Sequence, residues 1–107
     1  MPTVTDSDTT LTDGTVQTLT DVTDNKYFTF KIDTTNMASG DTVVLKVYDK
    51  VLSGGAFALV TQETYTDAQT LPIKFLPPQW ITEEIKVTLQ RTAGTDRNYY
   101  WALLEND

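Results

Sequence analysis

From residue 26 onward, apolar positions recur with a period of two. Phe28, Phe30 and Ile32 alternate with Tyr27, Thr29 and Lys31, the pattern of a strand with one buried face. Val43, Leu45 and Val47 share one side of a second run, with Val44, Lys46 and Tyr48 on the other. Ile85, Val87 and Leu89 alternate with Lys86, Thr88 and Gln90 in the cleanest amphipathic run of the chain. A helical period is absent; at most one helical turn is expected, at Thr34–Ala38.

Turn-forming residues separate these runs. Asn36 to Asp41, Asp67-Ala68-Gln69 and Thr92 to Asp96 read as loops. Ser53-Gly54-Gly55 is a hairpin signal, because glycine reaches positive φ without strain. A turn centred on Gly54-Gly55 sets Lys46 opposite Glu63, whereas a three-residue loop breaks that pairing. Pro72–Phe75 reads as a short edge strand that Pro77-Pro78 ends, since proline cannot donate to a central ladder. The expected strands are Thr9–Leu11, Thr15–Asp21, Lys26–Asp33, Thr42–Leu52, Ala56–Tyr65, Pro72–Phe75, Ile81–Arg91 and Arg97–Glu105. Their number and spacing predict an all-β fold, an antiparallel β-sandwich of about eight strands. Jelly-roll and immunoglobulin-like windings both fit.

The first residues stand apart. Asp6, Asp8, Asp13, Asp21 and Asp24 lie in residues 1–25, which hold no Lys or Arg and nine of the 21 Thr. The expected organisation is an acidic, Thr-rich arm over residues 1–14, lying along a neighbouring subunit or adding a strand to an exposed sheet edge, followed by one sandwich domain over residues 15–107. One core is what 107 residues allow. Met1-Pro2-Thr3 leads into polar residues with no apolar h-region, so no secretory signal is expected.

Composition removes many functions. The chain has no His and no Cys, which excludes a Ser-His-Asp triad, a thiol nucleophile, structural disulfides and the usual zinc, haem or iron–sulfur ligands. A formal charge of -7, with six Lys and two Arg scattered singly, argues against nucleic acid. No apolar run approaches the roughly 20 residues of a membrane helix. Asp6-Ser7-Asp8 followed by Asp13-Gly14 invites a calcium reading, but counting from Asp6 puts Leu11 and Gln17 where an EF-hand needs Gly and Glu. These carboxylates therefore read first as solvated turn residues, with a looser calcium site as the alternative. Glu83 and Glu84 are adjacent and point to opposite faces of a strand, which does not suit a glycosidase pair. Ser39 and Ser53 have no His to activate them. The chain is expected to be no enzyme, with no cofactor and no metal.

Two apolar features carry the functional reading. Tyr99, Tyr100 and Trp101 divide their rings between the two faces of the last strand, so one set is in the core and the other outside. Leu76-Pro77-Pro78-Gln79-Trp80-Ile81 is a stiff apolar connection. Trp80 either folds back to plug the open end of the sandwich or anchors a partner.

The run Asn36 to Leu45, the Ser53-Gly54-Gly55 turn and Leu89-Gln90-Arg91-Thr92-Ala93-Gly94-Thr95 resemble small β-sandwich structural proteins of phages and archaeal viruses, over roughly residues 12–105. The Thr-rich, acidic, Cys-free composition fits such a setting. The resemblance implies a minor capsid, decoration or spike subunit, made in the host cytoplasm and located in the virion. It implies assembly through contacts with copies of itself and a major capsid or other virion protein, and no catalysis. The expected interface residues are Thr3, Val4, Thr5, Thr9 and Leu11 of the arm, with Pro77, Pro78, Trp80 and Tyr100. The alternative is a carbohydrate- or receptor-binding module with exposed coplanar rings among Tyr48, Tyr65, Tyr99, Tyr100 and Trp101. A cytoplasmic scaffold protein is a third, less fitting reading.

Overall fold

The computed structural model describes residues 3–81 and 83–106. Met1, Pro2, Thr82 and Asp107 lie outside that description, as do the side chains of Thr3 and Asn106. The described residues form nine strands and no helix: β1 (Thr3–Leu11), β2 (Gln17–Thr23), β3 (Lys26–Asp33), β4 (Thr42–Asp49), β5 (Ala58–Thr66), β6 (Ile73–Phe75), β7 (Gln79–Ile81), β8 (Glu84–Ala93) and β9 (Asn98–Asn106). All pairings are antiparallel. One sheet, called A below, runs β1-β9-β3-β6, with β7 also on β3; the other, sheet B, runs β2-β8-β4-β5.

The period-two runs set which face is buried. Phe28, Phe30 and Ile32 of β3 and Tyr99, Trp101 and Leu103 of β9 face inward from sheet A. Val43, Leu45 and Val47 of β4 and Ile85, Val87 and Leu89 of β8 meet them from sheet B. Each of these residues is at most 5% exposed. A large side chain shielded from water in this way contributes about 1.5–3 kcal/mol, so this apolar layer is the main source of stability. Trp101 stacks on Phe30, 5.8 Å between ring centres, and its indole N–H donates to Thr10 Oγ1 at 3.0 Å.

The structure differs from the sequence reading in four places. Residues 3–11, expected as part of a docked arm with only Thr9–Leu11 in a strand, form a full strand along the chain's own β9, from Thr3 opposite Glu105 to Leu11 opposite Asn98. The aspartates that suggested turns are tolerated there because charge on an edge strand reaches water and blunts the edge. Thr12 is buried and exchanges hydrogen bonds with the Arg97 backbone. Second, the edge beside β3 is one interrupted strand. β6 pairs Lys31–Asp33 and β7 pairs Lys26–Phe28, with Pro77-Pro78 bulging between them, so nine strands stand where eight were expected. Third, Lys46 faces Gln62 and Leu45 faces Glu63. A bulge at Val47/Tyr48 and an eight-residue connection between Asp49 and Ala58 shift the expected register. Fourth, the strand expected over Ile81–Arg91 is split, Ile81 ending β7 in sheet A and β8 beginning at Glu84 in sheet B; Thr34–Ala38 makes the one turn expected of it, in which Met37 N donates to Thr34 O at 3.0 Å.

At one end of the molecule Asp41, buried at 1% exposure, ties several loops together. Its carboxylate accepts from Ala38 N at 2.9 Å, from Thr95 N at 3.0 Å and from the Arg97 guanidinium. Its carbonyl accepts from Asp67 N at 2.8 Å, and Gly40 N donates back to Asp67 Oδ1 at 2.7 Å. Burial alone would raise the Asp41 pKa; the Thr95 and Ala38 amides and Arg97 outweigh it and hold the carboxyl below its ordinary 3.8.

Candidate functional site

The ladders fix what the outer face of sheet A carries. On β9, Asn98, Tyr100, Ala102 and Leu104 alternate with the buried set. β3 contributes Tyr27, Thr29, Lys31 and Asp33 to the same side. Val4, Ser7, Thr9 and Leu11 of β1 join from one edge; Ile73, Phe75 and Trp80 join from the other. The result is apolar and open to water. Val4 is 56% exposed, Leu11 56%, Tyr100 56%, Phe75 60% and Trp80 63%, with Tyr27 and Ile73 also exposed.

Side chains on this face form rows across the strands. One row is Ser7, Ala102, Lys31 and Phe75; the next is Thr9, Tyr100, Asp33 and Ile73. Small Ala102 beside the tall Tyr100 ring leaves a depression of about 260 Å³, walled by Lys31, Asp33, Ile73 and Tyr100. Lys31 and Asp33 are the only charged side chains that the described strands place on the face. Its net charge is therefore zero on a chain of -7.

Sheet B presents a different outer face. Lys46 and Lys86 lie there with Tyr48, Thr88 and Gln90. Lys86 Nζ sits 5.0 Å from the Tyr48 ring centre and 4.3 Å from that of Phe57. A carboxyl pair closes the end of this sheet. Burial, then the hydrogen bond to and repulsion from Glu84, raise the Asp21 pKa. Glu84 is lowered by that hydrogen bond and by Lys50, whose Nζ lies 3.0 Å from Glu84 Oε1.

Several sequence-predicted residues meet on the apolar face: Val4, Thr9, Leu11, Trp80 and Tyr100. Thr3 opens β1 opposite Glu105, and Thr5 is the extra residue of the bulge between Val4 and Asp6. Pro77 and Pro78 are exposed beside it. Trp80 does not plug the fold: it lies outside, 6.2 Å from the Tyr27 ring, while Leu76 and Ile81 on either side turn into the core. Sequence reasoning missed Tyr27, Ile73 and Phe75. Tyr27 and Phe75 were legible by parity once Phe28 and Leu76 were taken as buried.

The coplanar-ring expectation is not met. Tyr99 and Trp101 are core residues, and Tyr48 and Tyr65 belong to sheet B. Tyr65 is half-buried, and burial and then Glu63 push its pKa up to about 12. Tyr27 and Trp80 are tilted by 41°. The aspartates considered for calcium are used locally: Asp6 accepts from the Thr20 hydroxyl at 2.8 Å, and Asp13 from the Thr15 hydroxyl at 2.6 Å. Among the described residues no three acidic side chains are grouped to hold a metal.

No protein-family model matches the chain, and no curated protein or solved structure is significantly similar to it. What the geometry defines is an all-β protein of two antiparallel sheets with one neutral, apolar outer face.

Proposed function

We propose that the protein is a non-enzymatic structural subunit of the virion kind that its sequence resembles, working through subunit contacts on the outer face of sheet A. The observation that carries this reading is the face itself. Seven exposed apolar side chains share this face, whose strands bring no net charge to it, and large exposed apolar surface marks contact sites. Contact sites also concentrate Tyr, Trp and Phe, the residues found here.

We further propose a jelly-roll winding. With β6 and β7 counted as one interrupted strand, the orders 1-9-3-6 and 2-8-4-5 describe two four-stranded sheets of the kind used by viral capsid and lectin domains. This support is an analogy of fold, and the assembly reading rests on the face. The 41° tilt between Tyr27 and Trp80 favours an apolar protein partner over a flat sugar platform.

Sedimentation velocity from micromolar to near-millimolar protein tests the reading. Concentration-dependent association is expected, lost in Phe75→Ser/Trp80→Ser and retained in Lys46→Ser/Gln90→Ser on sheet B. Overturning results are a strict monomer throughout, association that the first variant keeps, or a monomer that binds an oligosaccharide through Trp80.

A further inference from the structure

We propose that the outer face of sheet A docks on the same face of a second copy, about a two-fold axis that crosses the strands midway between the Ala102 row and the Tyr100 row. This inference rests on the assembly reading above and names the partner.

A two-fold axis in the plane of the contact, perpendicular to the strands, reverses position along each strand and keeps its place across the sheet. Each row then meets its neighbour's image. Tyr100 of one copy enters the depression above Ala102 of the other. Lys31 meets Asp33 of the second copy, Phe75 meets Ile73, and Ser7 meets Thr9. One row further out, Val4 opposes Leu11. One axis therefore gives a knob in a hole, an opposite-charge pair, an apolar pair and a polar pair, each made twice, as an isologous contact requires.

Charge and size agree. Two copies of a chain at -7 repel, and a surface free of net charge brings them together without setting like charges face to face. Among the described strand residues of this face, the cation Lys31 and the anion Asp33 stand two residues apart on β3, so reversal makes them partners. The molecule measures 40 × 31 × 19 Å, the short dimension being that of two stacked sheets. Its broad side is large enough for the ~800 Å² per partner of a standard stable interface.

The test exploits the knob and hole. Wild type, Tyr100→Ala, Ala102→Tyr and an equimolar mixture of the two variants are measured by sedimentation equilibrium, with near-UV circular dichroism confirming the fold of each. Tyr100 is 56% exposed, and Ala102, 8% exposed, lines the open depression that receives the added ring. Wild type is expected at twice the 12.0 kDa chain mass. Each variant alone should associate at least roughly 30-fold more weakly, as loss of a buried aromatic anchor implies. In the mixture one contact is native and the other inverted, so dimers reform. Association through this face in another stoichiometry, or a mixture no better than its components, overturns the two-fold arrangement and leaves the assembly reading standing. A monomer at every concentration, or a dimer that all variants keep, overturns both.

Discussion

Replacing Asp41 by Ala removes the acceptor on which one end of the molecule converges. Its side chain is 2% exposed and receives two backbone N–H groups and the Arg97 guanidinium. Hydrogen bonds to a charged group are worth about 1.5–3 kcal/mol each, net. Breaking a buried charged pair costs about 3–5 kcal/mol. Arg97 is 31% exposed and turns to water once its partner is gone, which places the loss near the low end, about 3 kcal/mol. For a domain of this size that lowers Tm by about 12–20 °C. The assay is urea unfolding followed by fluorescence of buried Trp101, paired with thermal melting. The pH dependence carries a sign of its own. The folded pKa lies below the unfolded value, so the stabilisation is present in full above the unfolded pKa and is lost as pH falls through the folded one. The gap between wild type and variant should be constant near neutrality and close in acid, below pH ~3.8. A loss under about 1 kcal/mol at pH 7, the size of one ordinary hydrogen bond, refutes the hub.

Two further changes test neighbouring features. Gly94 and Gly40 both have positive φ, +89° and +91°. A Cβ on Gly94 meets Asp41 Oδ1 at 2.2 Å and its Cα at 2.6 Å, whereas one on Gly40 meets nothing within 4 Å. Gly40→Ala should cost about 1–2 kcal/mol of backbone strain, and Gly94→Ala clearly more, by denaturant titration. Asp21→Asn should raise Tm at neutral pH, because the raised Asp21 pKa means that its ionisation in the fold opposes stability. The gain should vanish in acid, where Asp21 is already protonated; a variant less stable than wild type at pH 7 contradicts the pairing with Glu84.

Much of this fold was legible in the chain because burial imposes parity. Phe28, Phe30 and Ile32, Val43 to Val47 and Ile85 to Leu89 each show one apolar face, and each of those faces is the core. The β4–β5 register was not legible, since a bulge adds a residue without leaving a signal in the hydrophobic pattern. Nor was the extent of β1: its residues carry little apolar alternation, and β9 supplies the partner from 91 positions further along, as with Thr10 and Trp101. Pro77-Pro78 was correctly a breaker, but pairing resumes beyond it because β3 offers five further positions of free edge. For the site, Tyr100 and Trp80 could be named as candidates. That they share one face with Val4, Leu11 and Phe75 depends on strand order, which the pattern of a single strand does not contain.

For the proposed contact surface on the outer face of sheet A, the chain holds its own reporter. Trp80 is 63% exposed on that face, while Trp101 is 5% exposed within the core. Iodide quenching of tryptophan fluorescence, measured across a dilution series, reads Trp80 selectively. Trp80 should be quenchable in dilute protein and become protected as the protein associates. A Trp80 equally quenchable in the associated state would contradict the proposed contact.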